Sequence, residues 1–300
     1  MLFRSVYSSF INSSFGDGEG QVFIIEKGQG VSVIAENLKE QNLIKSIFFF
    51  KLYTKFSNQQ SSFKEGSYIL SPEMNIKQIV SELTSKIFLK PEEKITFIEG
   101  WSTNNYIKAL EEKGLIDSNQ FLFLAGEPLL DYRTTKKDYP KDYSEEFVFL
   151  KDKPSYYGLE GYLFPDTYRF FEDSSEDDII RKILSNFDKK LTDKMRADIS
   201  AQGKTIHEII TMASIIEKEV QNQNDMKIVS GIFWNRINNY QALESCATLA
   251  YILGVNKVQY SYEDTRTPSP FNTYINRGLP PAPISNPGVR AIEAAIYPEK

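Results

Sequence analysis

Two glutamates one residue apart, Glu217 and Glu219, close a mostly apolar segment, Thr211-Met212-Ala213-Ser214-Ile215-Ile216-Glu217-Lys218-Glu219. A carboxyl group set among apolar side chains loses hydration of its charged form. Its pKa then rises and it can hold a proton near neutral pH, which is what a general acid needs. At about 100° per residue, the main apolar arc of Ile206, Ile209, Ile210, Ala213, Ile216 and Val220 takes in Glu217. Glu219 falls roughly 200° away, beside Met212, Ile215 and Glu208. Both acids therefore have apolar neighbours, and helical periodicity alone makes Glu217 the more buried.

Two polar clusters follow. The first, Leu243-Glu244-Ser245-Cys246-Ala247-Thr248, offers Glu244, Ser245 and Thr248 to a substrate. The second begins with Ser269, Asn272, Thr273 and Tyr274. It continues through Gly278-Leu279-Pro280-Pro281-Ala282-Pro283-Ile284-Ser285-Asn286-Pro287-Gly288. Its prolines fix φ and remove backbone donors, so neither a helix nor a central strand runs through it. A long ordered loop of this kind usually lines a site. Amides, hydroxyls and phenols are the hydrogen-bonding vocabulary of a sugar. The loop is expected to form a groove wall opposite the acid, with Asn272, Thr273 and Tyr274 bonding N-acetyl and hydroxyl groups.

Other chemistries are excluded on composition. One cysteine (Cys246) and one histidine (His207) cannot build a structural zinc site or an intrachain disulfide. They read as a small buried thiol and a helix-surface imidazole. Gly28-x-Gly30 lacks the third glycine and the later acidic residue of a dinucleotide site, so neither a metal nor a cofactor is called for. A formal charge of −5, with no concentrated basic stretch, argues against nucleic acid as partner. The segment from Met1 to Phe15 is only half apolar. It falls short of the ~18 apolar residues of a membrane span and of a signal-peptide core.

The elements that must position these groups read as α+β. Three hundred residues, 41% hydrophobic, can build more than one core, so two or three domains are expected. Gly16, Gly18 and Gly20 mark a flexible lead-in over residues 1–20. A strand over 21–26, a glycine turn and a helix over 31–39 follow, then a strand over 66–70 and a helix over 76–83. The β-turn-α pattern recurs 72 positions on, where Gly28, Leu38, Leu43 and Ile44 match Gly100, Leu110, Leu115 and Ile116. Residues 127–157 have weak periodicity and read as a solvated surface insertion. Ser175 can cap a helix through the Asp178 amide, and further helices cover about 206–220 and 226–237.

Four ordered blocks carry a resemblance. They are Glu160-Gly161-Tyr162-Leu163-Phe164-Pro165-Asp166-Thr167-Tyr168, Ala213 to Glu219, Phe233-Trp234-Asn235-Arg236, and Asn272-Thr273-Tyr274 through Gly288. In order and spacing the chain resembles the endolytic murein transglycosylases, the MltG or YceG-like family, from about Gln21 to its end. The resemblance implies a LysM-like amino-terminal domain over 21–88 and a helix-rich catalytic domain over 89–300. It also implies a membrane anchor and a carboxyl-terminal continuation that this chain lacks, with the catalytic domain on the extracytoplasmic face of the bacterial cell membrane. The implied substrate is the peptidoglycan glycan strand, with cell-wall synthases as further partners. The family's catalytic glutamate matches Glu219, against the periodicity argument for Glu217. One carboxylate suffices in such an enzyme because the substrate's own C6 hydroxyl closes a 1,6-anhydro ring. Two departures stand out: Glu244 where the family commonly has Gln, and Val220 where Thr is common. The rival reading is a non-catalytic peptidoglycan-binding or scaffold protein of the same machinery.

Overall fold

The computed structural model describes residues 2–26, 28–84 and 92–299, residues 2–6 as backbone only. The chain divides into two compact units, Met1–Pro91 and Glu92–Lys300. The 88/89 boundary expected above falls outside the described residues.

The first unit comprises α1 (Leu2–Asn12), β1 (Gln21–Ile25), α2 (Val31–Glu40), α3 (Ile47–Phe56), β2 (Gly66–Leu70) and α4 (Ile76–Thr84). β1 and β2 pair antiparallel with Gln21 opposite Leu70. Strand alternation sends Phe23, Ile25, Tyr68 and Leu70 inward onto Ile34 and Leu38 of α2 and Ile79, Val80 and Leu83 of α4. The lead-in expected to be flexible is helical over Leu2–Asn12. Its Phe10 ring stacks on Phe49 of α3 at 4.4 Å between centroids, an apolar contact that the glycines after it concealed.

The second unit holds β3 (Glu92–Thr96) and β4 (Thr167–Phe171), paired antiparallel. Around them are α5 (Thr103–Glu111), α6 (Ser118–Ala125), α7 (Glu176–Lys190), α8 (Asp193–Ala201), α9 (Ile206–Glu219), α10 (Gln223–Asn238), α11 (Cys246–Leu253), α12 (Tyr262–Thr265) and α13 (Val289–Ile296). Two small antiparallel sheets among many helices make the fold α+β. α9 is the central helix, packed against α8, α10, α11 and α13. Every residue from Ile209 to Ile216 is buried, so the helix has no solvent face to define an arc. Beyond that span Glu217 is the more buried of the two glutamates, as periodicity expected, and Glu219 is exposed.

Residues 127–157 are not a solvated insertion. Tyr132, Tyr143, Phe147, Phe149, Leu150 and Tyr157 are all buried, and Phe149 stacks on Phe187 of α7 at 4.7 Å. The aromatics hang from short 3-10 turns, Tyr132–Thr134 and Val148–Leu150, rather than from a long helix or strand. No regular spacing results, so pattern reading missed a part of the core. Both copies of the β-turn-α pattern form as read, with Gly28 and Gly100 at φ +81° and +78°. Such angles strain any residue with a Cβ.

Candidate active site

α9 starts from a capping box. The Glu208 amide donates to Thr205 Oγ1 at 3.1 Å, and the Thr205 amide donates to Glu208 Oε2 at 2.8 Å. The proline-rich loop then runs along the helix and is fastened at three levels. Near the start, His207 Nε2 donates to the Pro281 carbonyl at 3.0 Å, while Nδ1 accepts from the Tyr162 hydroxyl at 2.8 Å. A carbonyl can only accept, which fixes the proton on Nε2. Midway, the Ile284 amide donates to Ser214 Oγ and Ser285 Oγ donates to the Ser214 carbonyl, both at 3.0 Å. At the end, the Gly288 amide donates to Glu217 Oε2 at 2.9 Å. His207 is therefore a largely enclosed strap residue, its pKa lowered by burial, and not a surface imidazole.

This fastening separates the two glutamates. Glu217 is half-buried, and burial raises its pKa, but its carboxyl group is engaged in holding the loop. Glu219 is exposed, at the last turn of α9, in a cleft of about 560 Å³. Its Oε1 accepts from Ser245 Oγ and from the Ala247 amide at 3.5 Å, at the start of α11, where helix amides favour negative charge. Among the described residues no donor reaches Oε2, which is left for a ligand. Ser102, Asn105, Lys218, Tyr251 and Ile284 also line this cleft, and among the described residues Glu219 is its only carboxylate.

The structure sorts the other expected substrate contacts into two groups. Thr248, Asn272, Thr273 and Asn286 are fully buried and bonded to the protein, behind the cleft wall rather than on it. Thr248 and Thr273 share a hydroxyl contact at 2.9 Å, and Thr273 Oγ1 accepts the Ser245 amide at 3.1 Å. They thereby hold in place the serine that contacts Glu219. Asn272 donates to the Thr265 and Thr267 carbonyls at 3.0 and 2.8 Å and accepts the Tyr274 amide at 3.0 Å. Asn286 accepts the Gly161 and Leu163 amides at 2.9 and 3.0 Å. It donates to the Trp101 carbonyl and to Glu160 Oε1 at 3.0 and 3.1 Å. Ser269 closes a turn by accepting the Phe271 amide at 3.2 Å.

Ser245, Tyr274 and Glu244 stand nearer the surface chemistry. Ser245 is buried but points its hydroxyl at Glu219. Tyr274 is half-buried, with its hydroxyl 3.2 Å from Cys246 Sγ. Burial and the neighbouring thiol raise its pKa, and the charges of Glu219 and Glu244 add to the rise. Cys246 itself is exposed at the cleft, not buried as its type suggested. Glu244 faces away from the cleft and pairs with Arg236 at 3.3 Å.

Nothing in the local sequence marks Glu160 as part of the site. It is almost fully buried and accepts the Thr103 amide at 3.0 and 3.2 Å, the Asn286 side chain, and the Tyr251 hydroxyl at 3.4 Å. Burial pushes its pKa up to about 8. It joins the start of α5, the proline-rich loop and a cleft-lining tyrosine. The next-door Gly161, at φ +91°, has no room for a Cβ against Pro283, which explains why glycine follows that glutamate. Among the described residues no group of three or more His, Cys, Asp or Glu is placed to hold a metal.

The YceG-like family model matches residues 23–300. The endolytic murein transglycosylase of Bacillus subtilis (strain 168) is 32% identical over 278 residues, covering 92% of this chain and 75% of the relative. That of Streptococcus pneumoniae serotype 2 (strain D39 / NCTC 7466) is 29% identical over 92% of this chain, which spans only 52% of that relative. A crystal structure of a yceG-like protein from Listeria monocytogenes superposes with a TM-score of 0.59 at 30% identity, covering 94% of this chain and 91% of that one. With its family model matched over nearly the whole length, the chain belongs to the YceG-like family, whose curated relatives are named endolytic murein transglycosylases.

Proposed function

We propose that this chain carries the cutting domain of an endolytic peptidoglycan lytic transglycosylase, with Glu219 as its acid and base. The observation that supports it most is a single oriented carboxylate in an open cleft. Glycosidases that deliver water or form a covalent intermediate generally need two carboxyl groups flanking the bond. Glu244, the nearest other acid of the polar clusters, is already paired with Arg236 outside the cleft. One carboxyl group suffices when the sugar supplies the nucleophile. Glu219 gives its proton to the glycosidic oxygen of the MurNAc–GlcNAc β-1,4 bond as the bond from C1 breaks. The C6 hydroxyl of the muramic sugar then bonds to C1, and its proton returns to Glu219. The products are a new GlcNAc hydroxyl end and a 1,6-anhydromuramic end, and the enzyme is unchanged.

Ser245 and the Ala247 amide hold Oε1, so Oε2 is the oxygen that transfers the proton in this scheme. Among the described residues no helix is long and apolar enough to cross a membrane. In this reading the domain acts on the extracytoplasmic face of the cell membrane, near the synthases that make the strands.

The test is digestion of purified glycan strands in ¹⁸O-labelled water, with mass spectrometry of the ends. Anhydro ends without label are expected, and Glu219→Gln should lower the rate by about 10²–10⁴ while the fold survives. Labelled reducing ends would mean hydrolysis, and full activity of Glu219→Gln would remove the assignment.

A further inference from the structure

A second cavity, of about 510 Å³, lies between the turn after α10 and the start of the proline-rich loop. Arg236, Tyr240, Gln241, Glu244, Tyr274 and Arg277 line it. Its size is in the range that holds small ligands. Three features distinguish it from an ordinary surface hollow.

The first is charge. Two guanidinium groups face one carboxylate. Arg236 is occupied, donating to the Ala242 and Leu243 carbonyls at 3.2 and 2.8 Å and to Glu244. The Arg277 side chain makes no hydrogen bond or ion pair among the described residues, and it is exposed. An arginine free on the wall of a cavity is a fork-shaped donor suited to a carboxylate.

The second is an aromatic platform at the end of α10. Tyr240 is 81% exposed, and both it and Glu244 adopt positive φ, +54° and +53°. At Tyr240 this turn closes α10, its amide donating to the Ile237 carbonyl at 3.0 Å and the Gln241 amide to the Arg236 carbonyl at 2.8 Å, which fixes the backbone that carries the ring. The segment is pinned by the backbone bridge between Ala242 and Arg277 and by the Glu244 amide on the Thr273 carbonyl at 3.1 Å. The exposed tyrosine ring on this turn offers a flat apolar face to a sugar.

The third is continuity with the cleft. The Tyr274 ring lines the second cavity, while its hydroxyl reaches Cys246 Sγ on the wall of the Glu219 cleft. The walls of the two spaces therefore meet at this contact.

We propose that this second cavity is a distal glycan subsite that takes an acidic sugar. Tyr240 is the stacking face and Arg277 the contact to a carboxylate, such as the lactyl group of a muramic residue. A strand lying across both spaces is gripped beyond the bond that Glu219 cleaves, which favours internal bonds over ends. The proposal rests on the glycan-cleaving reading of Glu219, and its test separates the two.

The experiment is titration calorimetry on the Glu219→Gln protein, alone and combined with Arg277→Gln or Tyr240→Asn. Asparagine tolerates the positive φ at position 240, so the ring is removed without unfolding the turn. The probes are peptide-free glycan strands with free lactyl carboxylates and neutral chito-oligosaccharides of equal length. Arg277→Gln is expected to weaken binding of the acidic strands by about fivefold at low salt and to leave the neutral ones unchanged. Tyr240→Asn is expected to weaken both by about fivefold. Equal effects of Arg277→Gln on the two probes, or no effect of either substitution, overturn the subsite while leaving Glu219 in place. Failure of the parent protein to bind either glycan overturns both readings together.

Discussion

The two β-turn-α segments differ less in their local build than in what holds them. In the first, β1 leads through Gly28 into α2, whose N-cap is Gly30 with no side-chain cap, and a Cβ at Gly28 would meet nothing within 4 Å. In the second, β3 leads through Gly100 into α5, and nearly every polar group of the turn is bound. The Gly100 amide donates to the Asn286 carbonyl at 2.8 Å, and its own carbonyl accepts from Lys218 Nζ at 3.3 Å. Asn105 Oδ1 accepts the Ser102 amide at 3.0 Å, and Glu160 accepts the Thr103 amide. The same supersecondary unit is free-standing at one glycine and fastened to the cleft at the other. The similarity therefore belongs to local sequence, and the difference belongs to partners far away in the chain.

Asn286 is the fastening whose loss should be felt most. Its side chain serves two amide donors, one carbonyl and Glu160 in a fully buried setting. Asn286→Ala leaves those groups without partners, each at a cost of about 1–3 kcal/mol, so a total near 3–5 kcal/mol is expected after relaxation. Chemical denaturation followed by fluorescence would measure it. An unchanged unfolding midpoint with a raised KM would instead mean that Asn286 contacts substrate, as the sequence reading supposed.

Glu160 should reveal itself through pH. Its carboxyl titrates near 4.5 when unfolded and at about 8 in the folded protein, so the native state holds the proton more tightly. The stability it contributes is full below about pH 4.5, declines as pH rises, and is lost once pH passes about 8. His207 acts in the opposite sense: with its folded pKa below 6.5, its contribution is present above pH 6.5 and lost on acidification. Lys153, whose pKa burial lowers to about 8, acts with the opposite sign from near that value upward, so the interval from pH 6.5 to about 7.5 reports mainly on Glu160. There the wild-type stability should fall with pH, and Glu160→Gln should flatten the slope. Parallel slopes for the two proteins would assign the decline to another group.

Gly100 tests the junction with smaller means. A Cβ there meets Glu217 Cγ and Lys218 Cδ at 3.4 Å, an ordinary contact, so the strain of Gly100→Ala lies in the backbone. Relaxing that strain shifts the turn that receives Lys218 and Asn286, beside Glu219. Small displacements of this kind cost activity out of proportion, and about a tenfold loss in kcat/KM on glycan strands is expected. Retention of full activity would show that the turn supports the fold without positioning the cleft.

How much of this was legible in sequence follows from what each feature depends on. Strand alternation in β1 and β2, the Ser175 cap and the repeated glycines are local, and they could be read directly. The division of labour between Glu217 and Glu219 was not. Periodicity rightly made Glu217 the more buried, but nothing local tells that its carboxyl group is taken by the Gly288 amide, 71 positions on, while Glu219 opens into the cleft. The polar loop was correctly seen as dense in hydrogen-bonding groups. Nothing local tells that Thr248, Asn272, Thr273 and Asn286 turn inward to one another while Tyr274 stays at the surface. Glu160 was hidden for the same reason: its partners Thr103, Tyr251 and Asn286 lie 57, 91 and 126 positions away.

The smallest effect on activity should come from Gly28→Ala, and it completes the pair with Gly100→Ala. Both glycines sit near φ +80°, so each substitution forces alanine into the left-handed region at about 1–2 kcal/mol of stability. The thermal cost of the two should therefore be similar. Activity should not be, because a methyl group at Gly28 meets no atom within 4 Å, whereas Gly100 is bonded to the loop and to Lys218. Gly28→Ala is expected to keep kcat/KM within about twofold of wild type at temperatures well below unfolding, since changes at exposed sites without partners have little reach. Side-by-side melting curves and glycan digestion rates for the two variants decide it. Equal losses of activity would mean that backbone strain alone, and not the fastening to Asn286 and Lys218, sets the sensitivity of these turns. The distinction drawn between the two segments would then have no functional content.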